Sequence, residues 1–212
     1  MRVTLFDCLD SFAWNLVHDL ERLGAQVHVV QEGQWEEVFW DRTDALVLSP
    51  GPGLPEEHPQ LLDVLAAAME RHVPVLGVCL GMQAIQRQLG GELLNLVSPL
   101  HGRQTTVSWE HVPTDLTPWM NMWHDLPSSM EVGHYHSWVV QEASMPSSLH
   151  ANARNSEGLV MAMVHDTLPV AGVQFHPESV LTADGRQLLQ GWLMAAQRCL
   201  ANSASKVSLN FS

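Results

Sequence analysis

The stretch Pro74-Val75-Leu76-Gly77-Val78-Cys79-Leu80-Gly81-Met82-Gln83 decides the fold of this chain. A short apolar run ends at Cys79 and a helical pattern follows, which predicts a buried strand, a sharp turn and a helix. Gly77 and Gly81 flank the cysteine in the Gly-x-nucleophile-x-Gly pattern. The following helix points its positive end at the sulfur and favours the thiolate, and the N–H of Leu80 is free to stabilise an oxyanion. The alternative is a buried structural cysteine, a common role for this residue type.

A second motif supplies the base that a thiolate nucleophile needs. In residues 170–179, Val-Ala-Gly-Val-Gln-Phe-His-Pro-Glu-Ser, His176 and Glu178 flank Pro177. Proline favours an extended conformation before it, and in extended chain residues i and i+2 face the same side. The carboxylate can therefore hold the imidazole in one tautomer. His-Pro-Glu alone is more often an ordinary loop, but together with the turn at Cys79 it predicts a catalytic set of Cys79, His176 and Glu178.

The first half of the chain alternates strands and helices. Strands are predicted at residues 2–6, 26–30, 44–48 and 73–78, and helices at residues 11–23, 58–71 and, less regularly, within 31–42, with Ser11 as the cap of the first helix. This alternation predicts an α/β fold, an open and mostly parallel sheet with helices on both faces. Sites in such sheets lie beyond the carboxyl ends of strands, so the loop Gly51-Pro52-Gly53 should meet Cys79.

The second half has shorter β-like runs, at residues 92–97, 105–109, 137–141 and 159–165, which predict a smaller antiparallel β portion. Residues 111–130, rich in proline and tryptophan, are predicted to form a surface loop. An amphipathic helix over residues 184–200 closes the domain, so that residues 1–200 form one domain. The Ser- and Asn-rich residues 201–212 are predicted to be a disordered tail.

Composition excludes several classes of function. The net charge of −13 argues against nucleic acid and anionic membranes as partners, because both require clustered Lys and Arg. No apolar run reaches the ~18 residues of a membrane span, and the first residues do not resemble a signal peptide. Three distant cysteines indicate a reducing compartment, so a cytoplasmic protein is expected. The twelve histidines show no zinc-binding spacing, so neither a metal nor a cofactor is expected.

Two motifs of the chain resemble the signatures of the class I (triad-type) glutamine amidotransferases: Gly-Val-Cys-Leu-Gly-Met-Gln at 77–83 and Gly-Val-Gln-Phe-His-Pro-Glu-Ser at 172–179. Three further stretches, at 7–12, 49–53 and 135–137, are similar to the glutaminase subunits of anthranilate synthase and of 4-aminobenzoate synthesis. The resemblance implies hydrolysis of L-glutamine through a Cys79 thioester, with delivery of ammonia to a separate chorismate-binding synthase subunit.

The resemblance also implies the remaining site residues. It places the second oxyanion donor at the N–H of Gly51, and substrate contacts at Gly51, Pro52, Gly53 and the backbone of Ser137 and Trp138. From the residues alone, the Gly-Pro-Gly sequence is better explained by a tight turn, the commoner use of such sequences.

Three further polar residues have two interpretations each. Gln83 lies four residues past Cys79 and so on the same helix face, where its amide is predicted to contact the amino-acid end of the substrate. The alternative is a polar side chain that satisfies a backbone group. His136 is interpreted as structural rather than as a second base, and the segment around His101 as a solvated loop.

The chain departs from its relatives at His134 and Trp138, where the family pattern has Arg and Leu, and at Val164 in place of Arg. Three alternatives to the anthranilate synthase subunit stay open. They are the equivalent subunit of 4-aminobenzoate (aminodeoxychorismate) synthase, a free-standing γ-glutamyl cysteine hydrolase and a non-catalytic subunit, the last of which the complete catalytic set argues against.

Overall fold

The computed structural model describes residues 1–110, 119 and 122–209, with the side chains of residues 203–209 excepted. The described residues form nine strands and four α-helices. These are β1 (Arg2–Asp7), α1 (Ala13–Arg22), β2 (Gln26–Gln31), β3 (Ala45–Leu48), α2 (Leu61–Glu70), β4 (Val75–Val78), α3 (Leu80–Gln88), β5 (Leu93–Trp109), β6 (Ser129–Val140), β7 (Leu149–Asn155), β8 (Val160–His165), β9 (Val170–Val173) and α4 (Gly185–Leu209).

All nine described strands belong to one mixed sheet in the order β2-β1-β3-β4-β9-β8-β7-β5-β6. The strands from β2 to β9 in this order are parallel, and those from β8 onward pair antiparallel. This is the predicted α/β architecture with an added antiparallel portion. It places the ends of β3, β4 and β9 side by side, which brings the loop after β3, Cys79 after β4 and the residues after β9 to one edge.

Alternate residues of the parallel strands face two hydrophobic cores, as expected for a sheet covered on both faces. Val3 and Leu5 of β1 pack with residues of α1 and α4, whereas Phe6 packs with residues of α2 and α3. The predicted helices on both faces are therefore present, and they hold β4 rigidly in the middle of the sheet.

The first helix begins later than predicted. Its N-cap residue is Phe12, which makes no side-chain cap, so the cap predicted at Ser11 is wrong. Asp10 instead accepts a hydrogen bond of 2.7 Å from the N–H of Phe12. The reason is local, because the Asp10 carboxylate takes up the free N–H group before the helix starts.

The antiparallel portion differs from its prediction in several places. The runs at residues 92–97 and 105–109 belong to one strand, β5, which includes His101 and contains irregularities in its pairing with β6, so the solvated loop predicted around His101 is wrong. Strand β7 was not predicted from the sequence. Its residues, Leu-His-Ala-Asn-Ala-Arg-Asn, alternate between apolar and polar, but alanine and asparagine are depleted in strands and no β-branched or aromatic residue marks the run.

The predicted surface loop at residues 111–130 is corrected where it is described. Residues 111–118, 120 and 121 lie outside the described residues. Trp119, Met122 and Trp123 are buried in the core beside α4, and the indole N–H of Trp123 donates to the carbonyl of Leu188. Here burial of large side chains outweighs the turn-forming effect of the prolines.

The closing helix α4 continues beyond the predicted end at residue 200, to Leu209. The division into a domain of residues 1–200 and a disordered tail of residues 201–212 stays a prediction. No described helix combines the length and the apolar character that crossing a membrane requires.

Candidate active site

Cys79 occupies a strained turn between β4 and α3. Its backbone has φ 52° and ψ −100°, outside the conformations that non-glycine residues favour. A Cβ atom on Gly77 would lie 2.6 Å from the backbone N of Met82, and one on Gly81 would lie 2.5 Å from the carbonyl oxygen of Leu48. The two glycines therefore allow strand and helix to approach closely, and only 4% of Cys79 is exposed.

His176 and Glu178 form a buried pair on the segment that follows β9. Nδ1 of His176 lies 2.6 Å from Oε1 of Glu178, and both side chains are almost completely shielded from water. Among the described atoms, Nε2 of His176 has no nitrogen or oxygen partner, and the remaining polar interaction of the ring is with the Cys79 side chain. Because Nδ1 is held by the carboxylate, Nε2 is the nitrogen that remains for proton exchange with a thiol.

The electrostatics of this pair favour a charged imidazole. Burial acts against the charged ring, but the Cys79 thiol and the Glu178 carboxylate outweigh it and raise the pKa of His176 to about 11. Burial raises the pKa of the Glu178 carboxyl, and the hydrogen bond with His176 opposes that rise. A protonated ring beside the sulfur is the arrangement that activates a cysteine nucleophile.

The backbone of His176 is fixed to β6. Its N–H donates to the carbonyl of Gly133 at 3.0 Å, and its own carbonyl accepts from the hydroxyl of Thr182 at 2.7 Å. That hydroxyl in turn accepts from the N–H of Gly133 at 2.9 Å. The imidazole therefore approaches Cys79 from a rigid support.

The predicted oxyanion donors lie next to each other. A Cβ atom on Gly51 would come within 2.5 Å of Cδ2 of Leu80, so the loop after β3 directly contacts the start of α3. Leu80 is the first residue of α3, where the N–H group has no partner within the helix. The two residues are thus adjacent, as an oxyanion hole formed by both of their N–H groups requires, and the assignment of these donors stays a prediction.

A cavity of about 180 Å³ opens onto Cys79. Its wall, within the described part of the chain, is formed by Gly51, Pro52, Gly53, Cys79, Gln83, His101, Tyr135, His136, Ser137 and Trp138. The structure thus brings all the predicted substrate-binding residues together around the predicted nucleophile. Leu80, His176 and Glu178 do not form part of this wall.

The amide of Gln83 is already engaged. Its Nε2 donates to the carbonyl of Trp138 at 2.8 Å and lies 3.3 Å from Oε1 of Gln174. This fits the alternative in which the side chain satisfies a backbone group, although Gln83 also lines the cavity. Nε2 of Gln174 lies 3.6 Å from the Cys79 sulfur, a contact that sequence reasoning missed. Alternation along the strand was the available signal, because Gln174 and His176 are two residues apart.

His134 and His136 form a buried pair beside the site. Nδ1 of His134 lies 3.1 Å from Nε2 of His136, and Nε2 of His134 lies 2.8 Å from the hydroxyl of Thr105. Burial and the neighbouring His176 lower the pKa of His134 to about 4. Burial and the neighbouring rings of His134 and His176 lower the pKa of His136 to about 3. Both are neutral near pH 7, which fits the interpretation of His136 as structural.

Two aromatic rings cover His176, and sequence reasoning predicted neither contact. Tyr135 lies edge-on to the imidazole with ring centroids 4.9 Å apart, and Phe12 does so at 5.4 Å. The hydroxyl of Tyr135 is 3.1 Å from that of Ser179. His101 reaches the same cavity, with Nε2 3.3 Å from the hydroxyl of Ser137. These contacts join distant segments, so sequence spacing carries no sign of them.

The comparisons with known proteins agree with this geometry. Residues 4–196 match the family described as "Glutamine amidotransferase class-I". The chain belongs to this family.

Two curated relatives and one solved structure illustrate the range of similar proteins. The chain is 37% identical over 196 residues to "Anthranilate synthase component 2" of Azospirillum brasilense, covering 92% of this chain and 96% of the relative. It is 39% identical over 201 residues to "Aminodeoxychorismate synthase" of Streptomyces griseus, covering 93% of this chain but only 26% of that protein. The crystal structure of a glutamine amidotransferase from Thermotoga maritima matches the fold with a TM-score of 0.69 at 16% identity, covering 96% and 85% of the two chains.

Proposed function

We propose that the chain is a glutaminase subunit that hydrolyses L-glutamine and delivers the ammonia to a chorismate-using synthase subunit, as in anthranilate synthase. The observation that carries the proposal is the buried His176–Glu178 pair acting on a cysteine at a strained turn, within a cavity lined by the Gly-Pro-Gly loop. The anthranilate synthase component from Azospirillum supports the choice of synthase through its similarity over nearly its whole length.

The reaction follows from the positions of the groups. The Cys79 sulfur attacks the side-chain amide carbon of glutamine, and the oxyanion forms beside the N–H groups of Leu80 and Gly51. Nε2 of His176 gives its proton to the departing ammonia, and a thioester remains on Cys79. The imidazole then takes a proton from water, which attacks the thioester and releases glutamate. No metal and no cofactor takes part in this proposed sequence.

Delivery of ammonia requires a partner that covers the site, because ammonia released into water is protonated and loses its nucleophilicity. Large apolar side chains near the site are available for such a contact. Leu9, which follows β1, is 58% exposed, and Val180, two residues beyond Glu178, is 97% exposed. The partner is proposed to act with this chain in the cytoplasm.

The equivalent subunit of aminodeoxychorismate synthase is a second candidate, favoured by the 39% identity to the Streptomyces protein. The two candidates differ in the partner and not in the glutaminase chemistry. A free-standing γ-glutamyl hydrolase is the third, and it would need no partner at all.

One experiment separates the candidates. The tagged chain is purified from its own organism together with any bound subunit, and the complex is supplied with glutamine and chorismate. We expect anthranilate as the product. Formation of 4-amino-4-deoxychorismate would move the assignment to the second candidate. Purification of the chain alone, active on γ-glutamyl peptides, would overturn the proposal of a synthase subunit.

A further inference from the structure

A second histidine–carboxylate pair, with His58 buried and Glu32 partly exposed, lies beside the loop that carries Gly51, outside the catalytic set. Nδ1 of His58 is 2.5 Å from Oε2 of Glu32, and Nε2 of His58 is 2.6 Å from the backbone carbonyl of Pro52. His58 precedes α2 and only 9% of it is exposed. A backbone carbonyl can only accept, so Nε2 donates to Pro52, and Nδ1 is the nitrogen that Glu32 holds.

A metal site is the other reading of this cluster, because Cys8 lies with Glu32 and His58 such that their ligand atoms are within 4.8 Å of one another. The distances argue against it. Two tetrahedral ligands at ordinary Zn–N and Zn–O lengths are about 3.3 Å apart, whereas the His58 and Glu32 atoms are 2.5 Å apart. The observed distance is that of a charge-assisted hydrogen bond.

The bond to Pro52 acts on the peptide groups around Gly51. Ser49 holds the other side of the same residue, because its hydroxyl donates to the carbonyl of Pro50 at 2.6 Å and accepts from the N–H of Cys8 at 2.9 Å. In a trans peptide the N–H points opposite to the C=O of the same unit. Fixing the Pro50 carbonyl therefore fixes the direction of the Gly51 N–H. The Pro52 carbonyl belongs to the Pro52–Gly53 peptide, two units further on, so the bond to His58 anchors the loop on the far side of Gly51 and limits rotation of the Gly51–Pro52 unit between the two anchors.

We infer that His58, held by Glu32, is a positioning residue that keeps the Gly51 N–H in place as an oxyanion donor. The inference rests on the proposed glutaminase function. His58 does not touch the substrate cavity, whose wall includes Pro52 but not His58. It acts through the Pro52 carbonyl, so its loss should weaken stabilisation of the oxyanion more than binding of glutamine.

Two matched variants test the inference, because each retains one of the two donors. The amide nitrogen of glutamine replaces Nε2, so His58→Gln keeps the bond to Pro52. The amide nitrogen of asparagine replaces Nδ1, so His58→Asn keeps the bond to Glu32 and loses the bond to Pro52. We expect His58→Asn to lower kcat of glutamine hydrolysis by about tenfold to a hundredfold, less than the roughly 100- to 1,000-fold effect of removing an oxyanion donor, because the Gly51 N–H is displaced and not removed. We expect His58→Gln to retain most of kcat, and KM to change little in either variant.

The experiment uses the full chain with its copurified synthase subunit. Alkylation of Cys79 by iodoacetamide is measured in parallel, since this reaction needs no oxyanion donor, and thermal unfolding checks the fold. A lower kcat with an unchanged alkylation rate, in His58→Asn only, supports the inference. Equal kcat in the two variants, an effect on KM alone, or parallel loss of alkylation would overturn it. Absence of glutamine hydrolysis by the wild-type complex would instead contradict the proposed function.

Discussion

At the scale of single residues, the site depends on conformational strain at Cys79. A non-glycine residue at φ 52° and ψ −100° costs on the order of 1–3 kcal/mol, which the surrounding fold must offset. The strain holds the sulfur at the end of β4, where it meets the His176 ring, instead of letting it turn into the core. Cys8 shows the contrast, because burial and the nearby Glu32 carboxylate raise the pKa of its thiol far above the usual range.

Replacement of Glu178 tests the electrostatic role assigned to it. Glu178→Gln keeps an acceptor for Nδ1 of His176 but removes the negative charge. The pKa of His176 should therefore fall from about 11, because burial lowers this pKa and the carboxylate no longer opposes that effect. NMR titration of the imidazole signals measures this fall. Glutamine hydrolysis should decrease less than in His176→Asn, which removes acid–base catalysis worth about 100- to 10,000-fold.

Two observations would contradict this role. One is an unchanged imidazole titration in Glu178→Gln. The other is a loss of activity as large as that in His176→Asn, since orientation of the ring would then matter less than a function of the carboxylate not considered in the proposed reaction.

At the scale of elements, β6 carries two histidines that cannot be protonated without disturbing its packing. Above about pH 6.5 both the folded and the unfolded states leave His134 neutral. Below that pH the unfolded chain takes up a proton, whereas the folded chain does so only near pH 4. The unfolded state therefore binds more protons in this window, and stability falls as the pH falls.

Acid unfolding measures this effect. The lowered pKa of His134 corresponds to about 3 kcal/mol of stability, present above about pH 6.5 and lost by about pH 4. His136 adds a loss that continues to about pH 3. In urea unfolding between pH 7 and pH 4, His134→Gln should reduce the pH dependence, whereas replacement of the exposed His18 should not. An identical pH dependence in wild type and His134→Gln would show that the ring is protonated without cost.

The sequence predicts the parallel half of the sheet well because its signals are local. Each of β1, β3 and β4 is a short apolar run, and α1 and α2 have apolar residues at helical spacing. The predicted helix start and cap at Ser11 were wrong because the choice of cap depends on which side chain first reaches the N–H groups, here that of Asp10. The antiparallel half was less predictable, since β7 has residues of low strand propensity and depends on its pairing with β5 and β8.

The candidate site, too, is predictable from the sequence only where its residues lie in short local motifs. Cys79, His176 and Glu178 lie in two short motifs whose geometry follows from a strained turn and an extended Pro-containing segment. The contacts of Gln174, Phe12 and Tyr135 with the predicted catalytic residues, and that of His58 with the predicted oxyanion loop, join segments far apart in the chain. Such contacts depend on the three-dimensional arrangement and leave no spacing to detect.

At the scale of the whole molecule, the parallel and antiparallel halves of the sheet supply different parts of the candidate site. The parallel strands provide rigid ends for Cys79 and the Gly51 loop, and the antiparallel strand β6 supplies Tyr135, His136, Ser137 and Trp138 to the cavity wall. The nucleophile therefore lies where the two halves meet. A partner that covers this junction would enclose the ammonia.

The division of labour between subunits gives a separate prediction. In the complex with its synthase subunit, Cys79→Ala should abolish product formation from glutamine and chorismate. Supplied ammonium should still support product formation, because it bypasses the thioester. Loss of the ammonium-dependent reaction as well, in a complex that assembles normally, would show that Cys79 serves the structure of the complex rather than glutamine hydrolysis alone.

The thioester itself is the most direct test that Cys79 is the nucleophile of a glutaminase. The complex is mixed with glutamine and chorismate, quenched in acid during turnover and digested, and the cysteine-containing peptides are examined by mass spectrometry. Cys8→Ser and Cys199→Ser variants serve as controls for the other two cysteines. We expect a γ-glutamyl group on the peptide containing Cys79, in the wild type and in both controls, and none in Cys79→Ser. Release of ammonia from glutamine by Cys79→Ser at the wild-type rate, or a glutamyl group on another cysteine, would contradict the account.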